Sequence, residues 1–308
     1  MAHSQFPVLP EALRVARLAP PRGPVQCVLD TDTYNEVDDQ FALAYALLSP
    51  QSLNLQAVYA APFHNNRSAG PEDGMVKSYA EIQQVMAKMG IAPRDSFVFE
   101  GSRGWLIDSN EPVDSPAARD LIKKAMACEN EPLYVMTIGA PTNVASALLL
   151  EPELVRHIVV VWLGGQPHDW RTAREFNLQQ DLFASRILFD SGVPLVQIPC
   201  TNVAEHLRVT IPELDAFLGG KNDLGQYLCD IVRGYTKDPF AWSKVIWDIS
   251  AVAWLINPQW LDSALAHSPT LSSQFTYTHD YTRHLMRVAL HLNRDAIFRD
   301  LYQKITGC

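Results

Sequence analysis

Nowhere in the sequence do two cysteines stand as a C-x-x-C pair. Five single thiols (Cys27, Cys128, Cys200, Cys229 and Cys308) are scattered along 308 residues. An odd, dispersed set of this kind speaks against a disulfide framework and a cysteine zinc site, and fits reduced thiols packed as small apolar side chains. Long hydrophobic runs are also missing. Runs such as Ile158–Leu163 are far too short to span a bilayer. The first 24 residues contain Pro and Arg but lack the apolar centre of a secretion signal. These absences give the expectation of a soluble, cytoplasmic protein without a membrane partner. Basic residues are in short supply, 25 Lys and Arg against 34 Asp and Glu for a net charge of -9. That balance argues against nucleic acid, whose phosphates require clustered cations. Repeats and low-complexity tracts are lacking as well.

What is present is an ordinary folding composition, 47% hydrophobic and 19% charged. The length suits a single domain over 1–308, with 1–24 as an N-terminal extension. Short apolar strands at Val25–Asp30, Leu55–Ala61, Phe97–Phe99, Leu133–Ile138, Ile158–Leu163 and Pro194–Ile198 alternate with segments of helical spacing. Those helices are expected at Val37–Leu48, Met75–Met89, Pro116–Met126, Asn143–Leu150 and Asp181–Phe189. Strands without polar alternation, separated by helices, predict an α/β fold: an open, mostly parallel, doubly wound sheet with helices on both faces. Beyond Cys200 the pattern predicts a helical C-terminal part that covers the site, with a hairpin near Gln274–Leu292 and a last helix at Arg294–Ile305. In such sheets ligands bind outside the carboxyl ends of the strands. The places to search are therefore Asp30-Thr31-Asp32, Ile138-Gly139-Ala140 and Gly164-Gly165.

The first of these opens a stretch, Asp30 to Asp39, with five acids in ten residues. Carboxylates this close repel one another and are costly to bury unless a cation compensates. Asp38 and Asp39 fall at a helix N-terminus, where the dipole favours negative charge, so capping alone would account for them. It does not account for Asp30 and Asp32, which end a buried strand. Ligation by oxygen alone suits a hard cation, Ca²⁺ or Mg²⁺.

Here the sequence resembles the nucleoside hydrolases, the inosine-uridine-preferring enzymes and their relatives. Their opening signature, a strand with Asp-x-Asp and then Asp-Asp leading into a helix, matches Asp30-Thr31-Asp32 through Asp38-Asp39-Gln40-Phe41-Ala42. Ile138 to Ala145 is similar to the family's Gly-x-x-Thr-Asn-x-Ala turn. Gly164-Gly165 followed by Glu175-Phe176-Asn177, and Trp247-Asp248 in a late helix where His-Asp is usual, complete the resemblance. It implies cleavage of the N-glycosidic bond of ribonucleosides to base and ribose, as in nucleoside salvage. It also implies Ca²⁺ held by Asp32, Asp39, Asp248 and the carbonyl of Ile138, with Asp32 as the general base for water on the cation. Asp38 and Asn177 would grip the ribose 2′- and 3′-hydroxyls beside Asp248, and Glu175 would lie near the 5′-hydroxyl and ring oxygen. A homodimer or homotetramer is compatible with the resemblance.

Four departures stand out. The loop Thr33–Val37 is longer than in most members. The family's 5′-hydroxyl Asn falls at Asp169, and the Asn after the second strand is replaced by His64, with Asn65 and Asn66 adjacent. Trp247 occupies the position of the base-protonating His, and an indole is no acid at neutral pH. Trp247 is then a stacking surface or a core side chain, and His64 the alternative acid. Two other readings compete: a non-catalytic nucleoside-binding protein that kept the pocket, and a haloacid dehalogenase-type phosphatase. The phosphatase pattern wants Thr or Val where Tyr34 stands.

Overall fold

A computed structural model describes residues 6–128 and 131–307. Cys308 lies outside the described residues; the other four cysteines are free thiols. After a first helix α1 (Glu11–Leu18), β1 (Val25–Thr31), α2 (Asp39–Leu47), β2 (Leu53–Ala60), α3 (Pro71–Lys88), β3 (Val98–Glu100) and α4 (Pro116–Met126) alternate. They are followed by β4 (Leu133–Thr137), α5 (Thr142–Leu150), β5 (Ile158–Leu163), α6 (Phe176–Gln180), α7 (Leu182–Asp190) and β6 (Leu195–Ile198). The remainder comprises β7 (Arg208–Val209), α8 (Ile211–Phe217), α9 (Asp223–Tyr235), β8 (Lys244–Val245) and α10 (Ile249–Ile256). The chain ends with β9 (Leu261–His267), β10 (Thr270–Leu271), β11 (Tyr277–Thr278), β12 (Leu285–Leu292) and α11 (Arg294–Thr306).

The main sheet has eight strands in the order β3-β2-β1-β4-β5-β6-β12-β9, all parallel except β9. Alternate residues of each strand enter two separate cores. Leu29, Val58, Met136 and Val161 pack beneath α2 and α10, whereas Val28, Tyr59, Val135 and Val160 pack beneath α4, α5 and α7. Both faces are apolar because both are covered, as the expected doubly wound sheet requires. The order of the strands reverses between β1 and β4, and the crevice at such a switch point is where ligands bind.

The last third differs from its expectation. Tyr277–Thr278 pairs with Thr270–Leu271, not with the segment after it. Leu285–Leu292 instead enters the main sheet, parallel to β6 and antiparallel to Leu261–His267. The second of these strands is hidden in the sequence because it is a partly exposed edge, with Asp, Ser and His among the leucines and alanines of Leu-Asp-Ser-Ala-Leu-Ala-His. The helix α3 begins at Pro71, one turn before Met75, since Pro at the first position needs no N–H partner. Trp247-Asp248 precedes a helix and does not lie within one: Asp248 is the N-cap of α10. Among the described residues no helix is long and apolar enough to cross a membrane.

Candidate active site

At the end of β1 the backbone delivers Asp30, Asp32 and then, across the loop 33–37, Asp38 and Asp39 to one buried place. Asp30 is a brace: its Oδ1 accepts from Asn143 Nδ2 at 2.8 Å. Asn143 Oδ1 in turn accepts from the Ser102 backbone N–H at 2.7 Å and the Ser102 hydroxyl at 2.9 Å. The Thr142 hydroxyl donates to Asp181 Oδ2 at 2.8 Å, and Asp181 caps α7 through the Ala184 N–H. The Thr-Asn turn after β4 therefore ties the ends of β1, β2 and β4 together.

Asp32 is different. Neither of its carboxylate oxygens has a hydrogen-bond partner, although the residue is completely buried. Gly139 permits this placement, since a Cβ there would lie 3.0 Å from Asp32 Cγ. Beside it, Asp38, Asp39 and Asp248 bring one carboxylate oxygen each within 4.8 Å of the others. Asp39 Oδ1 also accepts from the Thr31 hydroxyl at 2.5 Å, and Asp38 Oδ2 from the Trp247 N–H at 3.2 Å. Lys244 supplies one positive charge, with its Nζ 3.7 Å from Asp38 Oδ1 and 2.5 Å from Glu36 Oε2.

One ammonium does not balance this many carboxylates. Burial first, and mutual repulsion second, push Asp32 and Asp248 well above the usual carboxylate range. Asp39 rises to about 7 for the same reasons, and burial lifts Asp30 to about 7. A cluster of oxygen donors in which Asp32 lacks any protein partner, and which is destabilised by its own charge, fits a hard divalent cation. Without a cation the folded chain binds more protons than the unfolded one between about pH 4 and about pH 7, so stability falls as pH rises through that window. Chelator-treated protein should therefore melt at a lower temperature near pH 8 than near pH 5.5, and Ca²⁺ should remove most of the difference. Chelated protein that instead becomes more stable toward pH 8 would contradict a charged, buried cluster.

A cavity of ≈ 280 Å³ opens over the cluster. Asp38, Ile138, Glu175, Asn177, Trp247 and Asp248, all expected from sequence, line it. Asn177 has a fixed orientation: its Nδ2 donates to the carbonyls of Ile138 and Leu163, both at 3.0 Å, which leaves Oδ1 for a ligand. Glu175 caps α6, its two oxygens accepting the N–H groups of Gly165, Asn177 and Leu178 at 2.9–3.1 Å. Burial raises its pKa, while those bonds oppose the shift.

Asp32, Asp39, His64 and Asp169 are not among the lining residues: the first two are buried and the last two exposed. The start of α3 presses against Phe63, where a Cβ on Gly74 would fall 2.0 Å from the Phe63 carbonyl oxygen. The chain turns outward there, and His64 Nδ1 sits 3.4 Å from Ser68 Oγ. Among the described residues lining the cavity none is a histidine. Sequence reading missed Asn35, Glu36, Gln166, Cys200 and Thr201, which also line it. Gln166, Cys200 and Thr201 follow the ends of β5 and β6, where the strand-end rule pointed. Lys244 lies on a two-residue strand and gave no signal.

The sequence profile of the inosine-uridine preferring nucleoside hydrolases matches residues 27–299. Among curated proteins, a probable uridine nucleosidase 2 of Arabidopsis thaliana is 25% identical over 277 residues, covering 83% of this chain and 80% of its own. The non-specific ribonucleoside hydrolase RihC of Shigella dysenteriae is 27% identical over 243 residues, 75% of this chain and 78% of its own. Among solved structures, a plant nucleoside hydrolase superposes with a TM-score of 0.74 at 18% identity, covering 92% of this chain and 100% of that one. A purine-preferring ribonucleoside hydrolase from Gardnerella vaginalis gives 0.72 at 21%, covering 92% and 98%.

Proposed function

The chain belongs to the family of inosine-uridine preferring nucleoside hydrolases, and from that premise we propose how its own residues divide the cleavage of a ribonucleoside. It is a ribonucleoside hydrolase, an enzyme that splits the N-glycosidic bond. The observation that carries the assignment of roles is the Asp32 carboxylate, buried with both oxygens unpartnered beside Asp38, Asp39 and Asp248.

Asp32, Asp39, Asp248 and the Ile138 carbonyl would hold Ca²⁺, which when bound lowers the pKa of water and offsets the charge of the cluster. Ca²⁺ suits a donor set of several carboxylates, a carbonyl and substrate hydroxyls better than Mg²⁺, which demands strict octahedral geometry. Asn177 Oδ1 and the Asp38 carboxylate accept hydrogen bonds from the ribose 2′- and 3′-hydroxyls, and so set the anomeric carbon against Asp32. Asp32 accepts a proton from the attacking water while the water oxygen bonds to C1′. The C1′–N bond breaks and its electron pair leaves with the base. Positive charge builds on the sugar, as in other glycoside cleavages, and Glu175 in the cavity wall stabilises it. Trp247 forms the wall on the side of the leaving group.

A panel of purine and pyrimidine ribonucleosides tests this reading. Free base should appear with Ca²⁺, stop on chelation, and return when Ca²⁺ is restored. Full recovery with Mg²⁺ alone would remove the calcium assignment, and no base release from any nucleoside would remove the assigned roles.

A further inference from the structure

The loop between β1 and α2 holds a side chain whose orientation the surrounding bonds fix. Asn65 Oδ1 accepts the Arg67 N–H at 2.8 Å, so its Nδ2 must be the donor toward Asn35. That Nδ2 lies 2.7 Å from Asn35 Oδ1 and 3.2 Å from the Asn35 carbonyl oxygen. The oxygen of the Asn35 amide is thus committed, and among the described residues its NH₂ group has no protein acceptor, while the residue, only 8% exposed, lines the catalytic cavity and also borders the neighbouring one beside Asn65. The next residue is clamped from three sides. Glu36 Oε2 takes Lys244 Nζ, Oε1 accepts from the Tyr235 hydroxyl at 2.9 Å, and its carbonyl accepts from Arg67 Nη1 at 2.7 Å. A free donor held this firmly is ready for charge that develops during a reaction.

On the roles proposed above, the sugar occupies Asp38, Asn177 and Glu175, which leaves the base to the other lining residues, Asn35 and Trp247 among them. We propose that Asn35 determines specificity: its amide N–H donates to the oxygen on C2 of a departing pyrimidine, making 2-oxopyrimidine ribonucleosides the preferred substrates. The inference rests on the roles proposed above. As the C1′–N1 bond breaks, its electron pair spreads over N1 and the C2 oxygen, water gives its oxygen to C1′ and a proton to Asp32, and that proton later passes to the base. A neutral donor stabilises such an anion without surrendering a proton, which suits a cavity where Trp247 replaces an acid. A purine has no carbonyl on either carbon beside its N9.

Steady-state kinetics of the full chain in Ca²⁺, on uridine, inosine and 4-nitrophenyl riboside, test this with Asn35→Ala and the near-isosteric Asn35→Asp. Unmodified protein should favour uridine over inosine by at least about tenfold in kcat/KM. Hydrogen bonds to charged groups imply that either variant loses about 10- to 100-fold in kcat on uridine. The loss on the nitrophenyl riboside, which has no ring carbonyl, should be smaller by about tenfold or more, with melting temperatures close to that of the parent. Equal losses on both substrates, an unchanged rate on uridine, or a parent that prefers inosine would overturn the role of Asn35 while leaving the hydrolase mechanism standing. No base release by the parent from any nucleoside would fell the mechanism first, and this inference with it.

Discussion

Asp32→Asn should cut base release by about 10²–10⁴-fold, the usual contribution of a general base, and at the same time raise the melting temperature of the chelated protein. The two effects have opposite signs for one reason. Asp32 is buried, carries no hydrogen bond, and is held well above its ordinary pKa by burial and by the charges of Asp39 and Asp38. Asparagine has nearly the same shape and removes one of the repelling charges. On the roles proposed above, it also removes the acceptor for the water proton and weakens a cation ligand. Measuring kcat at saturating Ca²⁺ alongside thermal melting in chelator checks both halves. A variant that turns over within about threefold of the parent would exclude Asp32 as the base, and a variant destabilised in chelator would show that the carboxylate is satisfied in some other way.

Ribonucleosides should be cleaved at least about a hundredfold faster than their 2′-deoxy counterparts, because a site built to bond a hydroxyl rejects an analogue without it by large factors. The geometry gives this expectation its strength. Both hydrogens of Asn177 Nδ2 are spent on the carbonyls of Ile138 and Leu163, so Oδ1 can only accept. Asp38 is likewise an acceptor, with Lys244 and the Trp247 N–H already against it. If these acceptors hold the ring hydroxyls, a deoxy sugar takes one donor away from the pair. Comparing kcat/KM for uridine and 2′-deoxyuridine decides the matter, and similar values for the two would mean that Asp38 and Asn177 do not grip the ring hydroxyls.

Much of the architecture was legible in the sequence because strands buried on both faces write themselves as apolar runs. Ile158–Leu163 and Pro116–Met126 were placed with their observed limits. The strand at Leu261–His267 was not, since an edge strand with one exposed face carries Asp, Ser and His among its leucines and alanines. The same division runs through the site. Asp32, Asp39, Asn177 and Asp248 stand in local motifs, and a motif survives as a pattern of neighbours. Asn35 and Lys244 owe their positions to partners far along the chain, Asn65 in one case and Glu36 in the other. His64 looked near the site because β2 ends beside it; the packing of α3 on Phe63, which turns it outward, is a tertiary fact that no run of letters spells.

The placement of Asp248 carries a consequence for the order of events during folding. This residue meets Asp38 and Asp39 where α10 packs on α2, a contact between remote parts of the chain whose closure is entropically costly. A cation held as proposed by Asp32, Asp39 and Asp248 would therefore find its full set of ligands only in the finished fold. Such a cation should act as a latch on the finished molecule, slowing the opening of the native state far more than it changes the rate of its formation.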